Sequence, residues 1–187
     1  GLEKHAIVTN DKGERRIIHG WGDKIGYKVG SFNDPDGAAR YSLTSNSFWA
    51  ITKFLTRDPS LKASIMGCMD AVSSKYGLKT FDVPFPPTAK GVGRIANIVP
   101  GTYENSCAYA HGSLFGTMAL FEMGESQRAW EEIEKTAVIT HDNCTMSSFV
   151  MPNSYCENAE YGMDGESMGD WHTGSGAVLV KETIRYG

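Results

Sequence analysis

The sequence predicts an all-α chain built from helix pairs with long functional loops, and three observations carry that reading. Apolar residues recur at three-to-four spacing in five segments, short turns join these segments in pairs, and few runs alternate apolar with polar residues as a half-buried strand would. The 187 residues are 41% hydrophobic, which supports a sizeable core and argues against disorder, collagen or a coiled coil.

Thr44 or Ser45 is positioned to cap the first helix, in which Phe48, Ile51, Phe54 and Leu55 share a face and which Asp58-Pro59 ends. Ser60 starts a second, with Leu61, Ile65, Met69, Val72 and Tyr76 as its apolar stripe and Gly77 as its stop, so the two make an αα-hairpin. Residues 81–87 cannot be helical, because three prolines remove backbone donors and push their predecessors to extended geometry. A third helix is expected over about 106–123, carrying Tyr109, Leu114, Phe115, Met118 and Phe121, with Gly124 closing it. Ser126 caps a fourth that turns Trp130, Ile133 and Ala137 inward and Glu131, Glu132 and Lys135 outward. The last begins near Thr173 and contains Ala177, Leu179, Val180 and Ile184.

Helix pairs whose connecting loops carry the polar and aromatic residues suit an α/α toroid, two concentric rings of helices around a central pocket. Twelve helices of roughly 11–12 residues plus connections need well over this length, so five or six are at most half of one. Gly1 stands where an initiator Met would, and the final helix runs to residue 187 without a convincing cap. The expectation is a piece of a larger catalytic domain, whose apolar helix faces would make it poorly soluble alone.

With 18 Lys+Arg against 22 Asp+Glu the net charge is −4, which gives no general attraction for nucleic acid or an anionic membrane. No stretch approaches the roughly 18 apolar residues of a spanning helix, and the N-terminus lacks a signal peptide's apolar core. The four cysteines, Cys68, Cys107, Cys144 and Cys156, form no C-x-x-C, so neither a metal site nor a dense disulfide framework is indicated. They read as idle thiols in a reducing, cytoplasmic compartment. Asn143-Cys144-Thr145 matches a glycosylation triplet, a pattern that also arises by chance.

Three loops carry candidate chemistry. In His19-Gly20-Trp21-Gly22-Asp23, an indole can stack on a sugar's C–H face with the Asp23 carboxyl beside it as acid or base; the plainer reading is a glycine-rich turn with a capping Asp. Asn33 to Gly37 reads as turn chemistry. In Gly101-Thr102-Tyr103-Glu104-Asn105 and Tyr109-Ala110-His111, a helix starting near Asn105 puts Glu104 at its mouth and His111 on its early turns. Glu104 could equally serve the helix N-terminus, and His111 could be a core histidine. In Asp170-Trp171-His172-Thr173-Gly174-Ser175-Gly176, a threonine hydroxyl and unpaired backbone N–H groups enter a helix together, an anion site unless Thr173 is only an N-cap.

Taken together and in order, these loops resemble the C-terminal part of the glycoside phosphorylases of glycoside hydrolase family 94, which include cellobiose and chitobiose phosphorylases. The carrying pieces, Gly20-Trp21-Gly22-Asp23, Thr44-Ser45-Asn46-Ser47-Phe48-Trp49, Tyr103-Glu104-Asn105 with Tyr109-Ala110-His111, and Asp170-Trp171-His172-Thr173-Gly174-Ser175, span essentially the whole chain. Gly22 departs from the family's Trp-Asn-Asp pattern; together with residues 29–37 and 149–155 it looks more like the 1,2-β-oligoglucan phosphorylase branch.

The resemblance implies the C-terminal part of an (α/α)6 barrel, with the rest of the barrel and a β-sandwich domain upstream of residue 1, and a homodimer in the full-length enzyme. It implies inverting phosphorolysis of a β-glucan or oligosaccharide, the 1,2-β-linked class among the candidates, with no cofactor and inorganic phosphate as co-substrate. Asp23 matches the general acid; His111, Thr173 and Gly174 match phosphate ligands, joined by an Arg upstream of Gly1; Trp21 and Glu104 are expected to bind sugar. No metal, nucleic-acid or membrane partner is implied. An inverting hydrolase on the same toroid is the first alternative and would need a second carboxylate roughly 6.5–9.5 Å from the acid, with Glu104 or Glu166 as candidates. A non-catalytic carbohydrate-binding domain is the second.

Overall fold

The computed structural model describes residues 1–21, 28–32, 34, 36–137, 150–170 and 174–187, with Trp21 described by its backbone alone. Helix α1 (Leu2–Ala6) leads into β1 (Ile7–Thr9), which pairs antiparallel with β2 (Arg15–Ile17), Ile7 opposite Ile17. Asn10 closes their turn: its Oδ1 accepts the backbone N–H groups of Lys12 and Glu14 at 3.0 and 2.9 Å. A second antiparallel pair, β3 (Gly20–Trp21) and β4 (Lys28–Val29), follows. Then come α2 (Leu43–Ile51), a 3₁₀ turn (Phe54–Thr56), α3 (Leu61–Val72), a second 3₁₀ turn (Gly93–Asn97), β5 (Ala108–Tyr109), α4 (Ala110–Glu122) and α5 (Ser126–Thr136). The last elements are β6 (Ser154–Tyr155), β7 (Ser167–Met168) and α6 (Gly174–Tyr186), with β5, β6 and β7 forming one antiparallel sheet in that order.

The chain is thus mainly helical with some sheet, which amends the all-α expectation. Each described strand is two or three residues long, too short for a two-residue period to show in sequence. Helix boundaries shift for identifiable reasons. The first helix ends at Ile51 rather than near Asp58, because Lys53 adopts a left-handed conformation (φ 62°) and the chain continues as a 3₁₀ turn. Its N-cap is Ser42, not Thr44 or Ser45. The second helix stops at Val72, where Ser73 turns extended; Tyr76 is buried but lies in the following turn, and Gly77 (φ 119°) accepts the Ser74 N–H within that turn instead of capping a helix. The third begins at Ala110, because Ser106 (φ 74°) and strand β5 occupy the stretch expected as its first turn. Gly124, at φ 82°, does close it.

Helix α4 is the centre of the packing, buried nearly all round and in contact with α2, α5 and α6. Leu114 and Leu120 join Leu43 of α2 and Leu61, Ile65 and Met69 of α3 in one core. Gly116 allows the close approach: a Cβ there would meet Leu78 Cδ1 at 2.3 Å. On α5 the expected outward Glu132 is in fact buried, with Oε1 accepting from Ser73 Oγ at 2.6 Å and Lys135 Nζ at 2.9 Å. Glu125, not Ser126, takes the α5 N-cap position, and Ala137 lies just past the helix end. On α6, Val180 and Ile184 are exposed.

Of the turn expected at Asn33–Gly37, Asn33 and Pro35 lie outside the described residues, while Gly37 N donates to Asp34 O at 2.8 Å and Asp34 and Asp36 face Arg40. Arg40, 1% exposed, donates through Nη1 to Asp34 and Asp36 at 3.0 and 2.9 Å, through Nη2 to Asp36, and through Nε and Nη2 to the Val83 and Pro84 carbonyls at 3.0 Å. The proline-rich connector, non-helical as expected, is thereby tied to the turn. Burial opposes the Arg40 charge, but its bonds to Asp36 and Asp34 outweigh that and raise its pKa, while the same contact holds Asp36 below the usual carboxylate range.

Candidate active site

A cavity of about 340 Å³ opens where the starts of α2 and α4 meet the 80s and 100s loops; its described lining includes His19, Ser42, Thr44, Phe81, Glu104, Tyr109, His111 and Phe115. The β5–β6–β7 sheet fixes the start of α4, and Asn153 in the loop before β6 accepts the Ala110 N–H at 2.9 Å. That sets His111 in the first turn, its ring stacked on Phe115 one turn later (centroids 4.9 Å apart, 25° between planes). His111 is therefore a cavity residue, not a core one.

Gly174, the first residue of α6, abuts that imidazole. A Cβ at Gly174 would lie 2.9 Å from His111 Cε1 and 3.4 Å from Nε2, so any larger residue would make the imidazole shift. The junction sets an imidazole beside the N-terminal, positive dipole end of a 13-residue helix. An anion fits that chemistry. Thr173, the residue before it, lies outside the described residues, as does Asp23. The backbone of Trp21 is held by β3, opposite Lys28, and His19, just before that strand, lines the cavity while its N–H donates to Val29 O at 2.8 Å.

Glu104 lines the cavity, but α4 starts six positions later, so the alternative that it serves that helix's N-terminus is overturned. Its carboxylate pairs with Arg94, half exposed. Its loop is rigid because Asn105 is fully buried, with Oδ1 accepting from Phe85 N at 2.7 Å and Nδ2 donating to the Phe85 and Ile98 carbonyls at 2.9 Å. Gly101 (φ 79°) cannot carry a side chain, since a Cβ would meet Glu157 O at 2.3 Å. Glu166, the other carboxylate considered for water activation, is exposed and outside the described cavity lining. Among the described residues no three His, Cys, Asp or Glu side chains gather as a metal site, and no described helix is long and apolar enough to cross a membrane.

Sequence reasoning missed His19, Ser42 and Phe81 as cavity residues. His19 Nδ1 lies 3.0 Å from Ser42 Oγ, its ring meets Phe81 edge-on at 5.3 Å, and burial pushes its pKa below the usual value. His19 stood inside the first conspicuous loop, so proximity to Trp21 was a usable signal; Ser42 and Phe81 join it only through tertiary contacts.

A helix N-terminus beside a histidine, at a cavity lined by Phe81, Tyr109 and Phe115, is the candidate site. The chain belongs to the Glycosyl hydrolase 94 superfamily, whose catalytic domain it matches over residues 6–186. It is 24% identical over 165 residues to a solabiose phosphorylase of Paenibacillus borealis, covering 86% of this chain and 21% of that protein. To a 3-O-beta-D-glucopyranosyl-beta-D-glucuronide phosphorylase of the same organism it is 25% identical over 168 residues, covering 88% and 21%. The chain spans about a fifth of the length of these curated relatives.

Proposed function

We propose that this chain is part of the catalytic (α/α)6 barrel of an inverting glycoside phosphorylase, with the remainder of the barrel and a β-sandwich supplied by upstream sequence. The observation that carries the reading is the contact of His111 with Gly174: two motifs 63 positions apart meet to make one anion-receptive point. The phosphorylase names of both relatives support it.

Phosphate sits on His111, Gly174 and Thr173, with an Arg from upstream sequence. One of its oxygens attacks the anomeric carbon of a β-glucoside as the bond to the departing oxygen breaks on the opposite face, and the Asp23 carboxylic acid protonates that oxygen. The products are α-glucose 1-phosphate and a shortened glucan or free sugar, a 1,2-β-linked glucan being the substrate proposed. No general base is needed, because the nucleophile arrives as an anion. Trp21 offers a stacking face, and Glu104 a polar contact at the cavity wall. The enzyme acts as a cytoplasmic homodimer without a cofactor. Asp23→Asn in the full-length enzyme tests the assignment: phosphorolysis of an unactivated glucan should vanish while the melting temperature holds, and retained turnover would move the acid elsewhere.

A further inference from the structure

The N-cap serine of α2 does not cap. Ser42 has the extended backbone of an N-cap, yet its hydroxyl makes no bond to the helix's free N–H groups; the Leu43 N–H is taken by the Thr80 carbonyl at 3.0 Å instead. Among the described residues the only hydrogen-bond partner of Ser42 Oγ is His19 Nδ1, at 3.0 Å. Ser42 is 1% exposed, and the assignment that satisfies both groups has its hydroxyl donating to that nitrogen. With Nδ1 accepting, the proton of the neutral imidazole resides on Nε2. Burial holds the ring below its usual pKa and so favours the neutral form. Phe81, edge-on to the ring, adds an apolar wall beside this donor.

We propose that His19 contacts the sugar in this cavity, its Nε2–H held as a hydrogen-bond donor to a pyranose hydroxyl, with Ser42 as the positioning residue that fixes the tautomer. A neutral donor beside an apolar wall suits a hydroxylated ring with C–H faces, whereas the anion is served by the His111–Gly174 junction. The inference rests on the phosphorylase reading for its substrate and deepens it by naming a specificity contact.

The test is steady-state kinetics of the full-length enzyme with a 1,2-β-linked gluco-oligosaccharide and inorganic phosphate. His19→Asn removes the donor at the Nε2 position and should raise KM for the oligosaccharide about tenfold, with kcat and the phosphate KM unchanged. His19→Gln restores an N–H near that position and should stay within about threefold of wild type. Ser42→Ala keeps the imidazole but frees its tautomer, and should raise the same KM about threefold. Equal impairment of Asn and Gln variants at normal melting temperatures, a shift that falls on phosphate instead, or an unchanged KM in Ser42→Ala would each overturn the proposal. If wild type releases no glucose 1-phosphate, the phosphorylase reading fails by itself; the sugar contact is then read by calorimetric oligosaccharide binding, where the same contrast between Asn and Gln is expected and its absence overturns the contact.

Discussion

Arg40 and His111 sit in loop-bordered regions of similar polarity that spend their polar groups in opposite ways. Around Arg40, the guanidinium donates to Asp34, Asp36 and two carbonyls and lies 4.2 Å over the Phe85 ring, so its donors are used within the protein. Around the cavity, His111 meets a phenylalanine ring and a glycine among the described residues, and the N-terminal end of α6 lies beside it. The first region is a structural knot; the second borders the cavity, where the proposed phosphate would sit. Burial alone does not separate structure from function, but the destination of the hydrogen bonds does.

That contrast can be broken by mutation. The largest stability effect is expected from Arg40→Met, which leaves Asp34 buried and unpaired and should cost about 3–5 kcal/mol, read by urea unfolding. A loss below about 1 kcal/mol would make the knot a surface-like pair. His111→Ala should do the reverse, lowering phosphate-dependent turnover by about 100-fold while the unfolding midpoint stays near wild type. Gly174→Ala should push the imidazole aside, since its Cβ would come within 2.9 Å of Cε1, and should raise the KM for phosphate; unchanged phosphate kinetics would remove Gly174 from the anion site.

The smallest effect probes the contact between α6 and α4. Glu182 is fully buried, accepts from Thr117 Oγ1 at 2.7 Å, and is pushed by burial up to about 7. Its folded pKa lies above its unfolded value, so the folded state holds the extra proton and stability should fall as pH rises from about 4.5 through about 7. Glu182→Gln should flatten that slope and stabilise the protein above pH 7 by on the order of 1–3 kcal/mol. A slope unchanged by the substitution would place the titration on another group.

Much of this was legible in sequence where the signal is local. The Leu61, Ile65, Met69, Val72 stripe and the Gly124 stop each rest on spacing within one element, and the prolines of residues 81–87 exclude a helix on covalent grounds. The pairing of His111 with Gly174 came from the resemblance to family 94, not from spacing; the structure places the two side by side. Glu132 was misread because its acceptor role is satisfied by Ser73, 59 positions away, which no helical periodicity reveals. Ser42 was missed at the N-cap position because Thr44 and Ser45 are equally good capping types two and three positions on, and its side-chain partner His19 lies 23 positions upstream. The short strands were missed because two residues carry no period.

In the proposed reaction the nucleophile at the cavity is phosphate rather than water. The direct measurement is the initial rate of glucan cleavage by the full-length enzyme as inorganic phosphate is raised from zero. No cleavage is expected without phosphate, and α-glucose 1-phosphate should rise to saturation, one mole per bond broken. Release of free reducing sugar at a rate independent of phosphate would contradict it and make the enzyme a hydrolase.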